Sequence, residues 1–188
     1  LSEFALKDLQ DCGIDITYYR EEFRPTVEKN AIVCNGYRLL KIDTLNNSPI
    51  NEDTVSAISE DLNGSCADIV LFSDFRHGIF NKNSIPKLKA AVPGDAFKVA
   101  DSQVASRWGN ILDFTDFDLI TPNEREARFA LGDQDSVIRP LALNLFKQAR
   151  CKNLILTLGE KGVMGFRDIN NEGGSLNSFF VLDSFATN

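Results

Sequence analysis

The spacing of apolar residues differs between the beginning and the remainder of this chain. Residues 14–19 alternate weakly and are rich in β-branched and aromatic types, which predicts a short strand. Residues 27–34 and 37–42 are two further β-prone runs. The Asn35-Gly36 pair between them is a strong hairpin signal, because both residues tolerate positive φ. A β-hairpin is therefore predicted near the N-terminus.

From residue 51 onward, helical and strand patterns alternate. Val55, Ile58 and Leu62 recur at helical spacing behind a cap at Asn51 or Asp53. The pattern then predicts strands at 67–72, 97–100, 117–120 and 153–157, and helices at 83–92, 123–131 and 137–149.

Two features of these later segments indicate the architecture. Uninterrupted apolar strands are typical of parallel sheets covered on both faces, so a doubly wound, mostly parallel α/β sheet is predicted. Residues 162–167 and 176–182, joined by a loop at 170–174, predict an antiparallel hairpin appended to that sheet.

The composition is that of one folded domain and argues against several classes of protein. The chain has 188 residues, of which 43% are hydrophobic and 25% charged. The net charge of −7 and the lack of a basic run argue against nucleic-acid binding, and no stretch approaches the ~20 apolar residues of a membrane span. The first residue is not Met, and the chain stops just after an apolar run, so we expect a fragment of a longer protein.

The cysteines suggest a reducing compartment. Cys12, Cys34, Cys66 and Cys151 are scattered without a Cys-x-x-Cys pair, and His77 is the only histidine, so a zinc site is not expected. We interpret these cysteines as small buried side chains in a cytoplasmic protein.

Four polar segments follow predicted strands, where ligands bind in open α/β sheets. They are residues 73–78, 101–103, 121–126 and 157–162. Each has a simpler alternative when taken alone. Residues 123–126 fit a helix cap with acidic residues in the first turn, and the glycines at 159 and 162 fit a turn. Asp74 and Asp101 fit ordinary loop caps.

Taken together and in this order, the segments resemble the ribokinase-like (PfkB-type) carbohydrate kinases, most closely the heptose-phosphate kinase branch. Residues 24–29 read R-P-T-x-x-K, and residues 38–43 continue as Arg followed by a Leu-Leu-basic-apolar-Asp strand, like the lid of those kinases. Residues 73–78 are similar to S-D-aromatic-x-x-G, residues 123–126 to N-x-x-E, and residues 157–162 to T-x-G-x-x-G. The resemblance covers nearly the whole chain.

The resemblance implies a nucleotide site with ATP and Mg²⁺ as cofactors. Asn123 and Glu126 would organise Mg²⁺ near the ATP phosphates, with Glu126 as the metal ligand. Thr157, Gly159 and Gly162 would let the backbone approach the nucleotide.

The resemblance also implies an acceptor side, with a sugar or sugar phosphate as substrate. Arg24 and Lys29 on the lid are candidates to contact an anionic sugar phosphate, although basic residues on a hairpin also protect exposed strand edges. Asp74 is similar to a substrate-side position. Asp101 begins a segment that departs from the Asp-Pro-basic pattern of the heptose branch.

Several further residues have less specific roles. Arg125 and Arg128 flank the Asn123–Glu126 pair, and Arg128 is expected to form a surface ion pair with Glu124 at i,i+4 spacing. His77 lacks a visible general-base partner. Arg76 lies in the same segment without an assigned role. Trp108 and Phe114 are expected in or near the core.

The resulting expectation is a partial ribokinase-like domain over residues 1–188, with lid strands at 14–43 and a nucleotide-binding α/β part at 51–188. The family's G-A-G-D segment, whose aspartate acts as general base, is absent and would be expected beyond Asn188, so this segment of a carbohydrate kinase is expected to be inactive alone.

Two alternatives accompany this expectation. One is a catalytically silent, kinase-derived nucleotide-binding or regulatory module. The other, a dinucleotide-dependent enzyme, is disfavoured because no early G-x-G-x-x-G opens a helix. A homodimer through the lid or through exposed sheet edges is a further expectation.

Overall fold

A computed structural model describes residues 2–103, 110–167 and 179–184 of the chain. Eight strands and five α-helices are defined within these residues. In chain order they are α1 (Ser2–Asp11), β1 (Glu28–Cys34), β2 (Tyr37–Thr44), α2 (Glu52–Asn63), β3 (Ile69–Asp74), α3 (Ser84–Ala91), β4 (Phe97–Ser102), β5 (Leu119–Ile120), α4 (Glu124–Leu131), α5 (Ile138–Ala149), β6 (Asn153–Thr157), β7 (Val163–Arg167) and β8 (Phe179–Leu182).

The strands form two separate sheets. β1 and β2 pair as an antiparallel hairpin, and the other strands form one sheet in the order β3-β4-β5-β6-β7-β8. β3 to β6 are mutually parallel, whereas β7 and β8 continue the sheet in antiparallel orientation. The predicted α/β class, with a mostly parallel sheet and an N-terminal hairpin, is confirmed. The predicted loop at 170–174 lies outside the described residues.

The core lies on one face of the six-stranded sheet. Leu154 and Leu156 of β6 are fully buried, as are Leu141 and Leu145 of α5. An aromatic group reinforces this core at the β3 edge, where Phe72, Phe80, Phe114 and Phe117 contact one another with ring centroids 5.1–6.4 Å apart. The expected burial of Phe114 is confirmed, and Trp108 lies outside the described residues.

The opposite face of the sheet is open at its β3 edge and at β8. Alternate strand residues point to opposite faces, so exposure shows which face is covered. Phe72 of β3 is buried, whereas its neighbours Ile69 and Leu71 remain 64% and 58% exposed. On β8, the other edge strand of the sheet, Phe180 and Leu182 are about half exposed and so is Val181, which points to the opposite face. Parallel sheets normally have both faces covered, so this exposed surface needs a second layer.

The N-terminal region differs from the prediction. Residues 14–19 form no strand, because no segment of the described part of the chain pairs with them to supply the hydrogen bonds that a strand requires. The helix α1 was not predicted, and none of its residues is buried. The hairpin itself is confirmed: Asn35 and Gly36 have φ of 49° and 80°, as a tight turn between twisted strands requires.

The cysteine expectation was wrong for three of the four residues. Cys12, Cys34 and Cys66 are exposed, and only Cys151 is buried. Burial raises the pKa of the Cys151 thiol to about 12, so that side chain acts as a small apolar group. Among the described residues, no helix combines the length and apolar character of a transmembrane span.

Candidate functional site

The carboxyl ends of the parallel strands bring two of the sequence motifs together. Asn123 follows β5 and Thr157 ends β6, and these two residues form an isolated parallel bridge. The Thr157 backbone N–H donates to the carbonyl of Pro122 at 3.0 Å. The N-x-x-E and T-x-G-x-x-G segments are therefore adjacent in space.

Asn123 and Glu126 form the N-terminal cap of α4. The Asn123 side-chain oxygen accepts from the Glu126 backbone N–H at 2.9 Å, and Glu126 Oε2 accepts from the Asn123 backbone N–H at 2.8 Å. This reciprocal pair is a capping box, so Asn123 and Glu126 do form the helix cap that was the simpler alternative for residues 123–126. Glu126 Oε1 accepts no hydrogen bond from the described residues, which leaves one oxygen for a cation.

The metal-binding capacity of this site is small. Within residues 2–103, 110–167 and 179–184, no group of three or more His, Cys, Asp or Glu side chains is arranged to hold a metal ion. A cation held by Glu126 would therefore take its other ligands from water and from phosphate oxygens. Mg²⁺ is commonly bound in this way, by one or two carboxylates beside a substrate phosphate.

The two glycines after β6 have different surroundings. Gly159, at φ 62°, has open space where a Cβ would lie. At Gly162, with φ 86° and ψ −137°, a Cβ would lie 2.0 Å from the Leu182 carbonyl oxygen. The chain's own β8 thus requires a glycine at position 162, whereas position 159 leaves room for an external group.

Two clefts meet at these residues. We call the first the α4 cleft; its volume is about 650 Å³ and its lining is Asn123, Glu124, Arg125, Arg128, Phe129, Gln134, Thr157, Leu158 and Gly159. We call the second the β8 cleft; its volume is about 580 Å³ and its lining is Asn123, Thr157, Gly159, Gly162, Val163, Leu182, Asp183 and Ser184. Asn123, Thr157 and Gly159 are common to both. Gly162 lines the β8 cleft, and Glu126 belongs to the cap of α4, the helix that borders the clefts. The five nucleotide-site residues predicted from the sequence therefore lie close together.

Asp74 and Asp101 are engaged within the protein. Asp74 is 3% exposed, and its carboxylate accepts from the Arg76 backbone N–H at 2.7 Å and from Ser102 Oγ at 3.1 Å. Burial raises the pKa of Asp74 above its ordinary value, against the opposing effect of Arg76. Asp101 accepts from Thr121 Oγ1 at 2.9 Å and so links β4 to the segment after β5.

Arg76 is the organising residue of this end of β3, a role that the sequence did not indicate. Its guanidinium lies 3.0 Å from Asp74 and donates to Ser102 Oγ at 2.7 Å, and its side chain is only 8% exposed. Asp113 lies 3.6 Å from the same group. Arg76 also has φ of 59°, a conformation that this network holds in place.

Arg24 attaches the base of the hairpin to two loops. A guanidinium has five N–H donors, and each of them meets an acceptor here. The acceptors are Glu21 Oε2 at 2.8 Å and the carbonyl oxygens of Asn46 at 2.8 Å, His77 at 3.3 Å, Ser48 at 2.9 Å and Pro49 at 3.0 Å. No donor of Arg24 remains for a ligand in this arrangement.

Gly78 completes this junction. A Cβ at Gly78 would lie 2.0 Å from the Ser48 carbonyl oxygen, and its own carbonyl accepts from Ile50 at 3.0 Å. The glycine of the S-D-aromatic-x-x-G segment is therefore required by chain packing.

Lys29 and His77 both contact the Phe75 ring. The Lys29 ammonium is 5.4 Å from the ring centroid, and the His77 ring stacks on Phe75 at 6.3 Å. Burial, together with the charge of Lys29, lowers the pKa of His77, so the neutral imidazole is favoured near neutral pH. Lys29 is exposed, and of the two predicted lid cations it is the one without a hydrogen bond or ion pair in the described part of the chain.

No family model matches the chain. The bifunctional protein HldE of Helicobacter hepaticus is 26% identical over 162 residues, and that of Wolinella succinogenes is 26% identical over 165 residues. Each match covers 82% of this chain and 33% of the relative, so the chain spans about one third of the length of these curated relatives.

Solved structures match most or nearly all of the chain. Ribokinase from Giardia lamblia superposes with a TM-score of 0.73 at 14% identity, covering 99% of this chain and 56% of the enzyme. This chain has the ribokinase-like fold.

Two further structures share the ribokinase-like fold with this chain. Ribokinase from Thermotoga maritima gives a TM-score of 0.68 at 20% identity, covering 99% of this chain and 57% of the enzyme. The tetrameric inhibited form of phosphofructokinase-2 from Escherichia coli gives 0.65 at 15% identity, covering 89% and 56%. The resemblance to ribokinase-like carbohydrate kinases that the motifs predicted is confirmed.

Proposed function

We propose that this chain is the nucleotide-binding segment of an ATP-dependent carbohydrate kinase that transfers the γ-phosphoryl group of ATP to a hydroxyl of a sugar or sugar phosphate. The adjacency of Asn123 and Thr157 at the carboxyl edge of the sheet carries the proposal, because it joins two motifs beside a cleft large enough for a small-molecule ligand. The kinase names of the structural neighbours support the class of reaction.

In this proposal the residues at the two clefts bind ATP and Mg²⁺. Glu126 Oε1 holds the cation through its free lone pairs, and Asn123 fixes the start of α4 so that this carboxylate faces the phosphates. Thr157 and Gly159 present backbone to the nucleotide, and Gly162 keeps the turn close to β8. Lys29 contacts the sugar or sugar-phosphate acceptor, and Arg24 fixes the base of the lid hairpin that carries Lys29. Asp74 and Asp101 stabilise the carboxyl ends of β3 and β4.

Transfer itself would need a general base that this chain does not supply. The proposal places that aspartate in a G-A-G-D segment beyond Asn188, so the 188 residues bind nucleotide without catalysing the reaction. The division into a lid at 14–43 and a nucleotide-binding part at 51–188, and the cytoplasmic location, remain parts of the same proposal. The alternative is a catalytically silent module. It would have the same nucleotide site, but the intact protein would also lack the G-A-G-D aspartate.

Titration of the chain with ATP and Mg²⁺ tests the site. Replacing Glu126 by Gln keeps an oxygen that can accept from the Asn123 backbone N–H but removes the charge that would hold the cation. We expect the affinity for Mg-ATP, measured calorimetrically, to fall about tenfold or more, because a charge-assisted contact is lost. The double replacement of Asn123 and Glu126 by Ala should reduce it further.

Asn51→Ala is the matched control for the capping effect. Asn51 caps α2, where its side chain accepts from the Thr54 backbone N–H at 2.7 Å, so its loss costs helix stability of about 1 kcal/mol at a position outside both clefts. Equal ATP affinities for wild type, Glu126→Gln and the double variant would refute the assignment.

The exposed apolar surfaces support self-association of the chain as given. Every residue of β1 and β2 is exposed, including Val33 at 58% and Leu39 at 67%, and β3 is an open sheet edge with exposed Leu71. We propose a homodimer through one of these surfaces, since unpaired strand edges template pairing with another chain.

Sedimentation velocity across a concentration series distinguishes the two surfaces. If the hairpin is the interface, Leu39→Lys should yield monomer and Leu71→Lys should not; if the sheet edge is the interface, the reverse is expected. A wild-type chain that stays monomeric across the series would contradict the homodimer.

A further inference from the structure

Two arginines line the α4 cleft, and only one of them is engaged. Arg128 Nε donates to Glu124 Oε1 at 2.9 Å, its Nη2 lies 2.8 Å from the same oxygen in an ion pair, and its Nη1 donates to the Ser136 carbonyl at 3.0 Å. The expected Glu124–Arg128 pair is thus present. It neutralises the charge of Arg128 and ties the end of α4 to the loop that follows.

Arg125 has no such engagement. The described residues offer its side chain no hydrogen bond and no ion pair, and the residue is exposed on the wall of the cleft. Its nearest acidic neighbours in sequence have other roles: Glu124 pairs with Arg128, and Glu126 caps the helix. The side chain of Arg125 therefore contributes an uncompensated positive charge to the cleft.

Helix stability does not explain an arginine at this position. Arg125 is the second residue of α4, and the N-terminal turn of a helix carries partial positive charge, which favours anions and disfavours cations. Glu124 and Glu126 in that turn carry the favoured negative charge, whereas Arg125 carries the disfavoured positive charge. An anion bound at the cleft would reverse this penalty, because it would interact favourably with the guanidinium and with the helix N-terminus together.

We infer that Arg125 is the side-chain cation that contacts the terminal phosphates of the bound nucleotide, and that Arg128 has a structural role. The inference rests on the function proposed above, since it assigns one contact within the same site. In a chain of net charge −7, a single uncompensated guanidinium beside Asn123 and Thr157 supplies local attraction for a polyphosphate. Because this contact is made to the terminal phosphates, Arg125 strengthens the binding of ATP more than that of AMP.

Calorimetric titrations with ATP, ADP and AMP, each with Mg²⁺, test this inference. For Arg125→Ala we expect the affinity for ATP to fall about tenfold and the affinity for AMP to change less than about twofold, because AMP lacks the terminal phosphates. Arg125→Lys should restore part of the ATP affinity, since it keeps the charge but loses the planar fork. The salt dependence of ATP binding should also become shallower in Arg125→Ala.

Arg38→Ala is the matched control, because Arg38 is another exposed arginine without a hydrogen bond or ion pair among the described residues and lies on the hairpin. Its titrations should match those of wild type. Wild-type ATP binding that Arg125→Ala leaves unchanged, or that falls equally for ATP and AMP, overturns the assignment of Arg125 and leaves the nucleotide site standing. A wild-type chain that does not bind ATP overturns the proposed function and this inference together.

Discussion

Gly162→Ala is expected to destabilise the protein by about 3 kcal/mol or more and to abolish nucleotide binding. The new Cβ would lie 2.0 Å from the Leu182 carbonyl oxygen and 2.8 Å from the Ser184 backbone nitrogen, and Leu182 is held in place by its pairing with Val163 of β7. The φ of 86° with ψ of −137° adds strain of its own for an L-residue. The change in unfolding free energy is measured by urea denaturation.

Gly159→Ala is the matched comparison, since Gly159 also has positive φ but has nothing within 4 Å of the added atom. We expect it to cost only about 1–2 kcal/mol, from backbone strain alone. A Gly162→Ala variant no less stable than Gly159→Ala would show that β8 does not pack against this turn as the structure has it.

Arg24→Lys is expected to destabilise the protein by about 2–3 kcal/mol, even though it keeps the charge. A lysine has three donors on one nitrogen and cannot reach five acceptors spread over a side chain and two loops. The carbonyls at 46, 48, 49 and 77 would then lose a partner in a partly buried place. Hydrogen exchange should accelerate in β1 and β2, because the junction at Arg24 fixes their base.

Arg38→Lys, an exposed substitution on the same hairpin, should change the stability by less than about 0.5 kcal/mol. The two roles considered for Arg24 predict different results. If Arg24 contacted an anionic sugar phosphate, as the resemblance implied, Arg24→Lys would lower the affinity for that ligand while leaving stability and hydrogen exchange unchanged. That result would overturn the structural role.

The parts of the fold that the sequence predicted correctly are those with strong local signals. The turn at Asn35-Gly36 has one favoured geometry, and the apolar run at 154–156 has one favoured environment, so both were predicted correctly. Residues 14–19 have strand-like composition but no partner strand within the described residues, and strand formation depends on a partner that local sequence does not encode. The helix α1 has no buried face, so its apolar pattern carried little information.

The same distinction applies to the candidate site. The motifs predicted where residues 123, 126, 157, 159 and 162 come together, because the carboxyl ends of parallel strands meet at one edge. The sequence did not show that Arg24 meets four carbonyls or that Arg76 is buried against Asp74, since both depend on contacts between residues distant along the chain. The spacing did predict the Glu124–Arg128 pair, but it did not show that Arg128 also donates to the Ser136 carbonyl after the helix.

The capping box at the start of α4 has a consequence for how such a site is lost or kept in evolution. Asn123 and Glu126 stabilise the helix whether or not a nucleotide is present, since each side chain satisfies a backbone N–H of the other. Selection for a folded domain alone would therefore retain both residues in a lineage that did not bind nucleotide. Position 125 gives no such benefit to the helix, so under the proposed phosphate contact a change of its charge among descendants would record the loss of nucleotide binding more faithfully than a change in the motif.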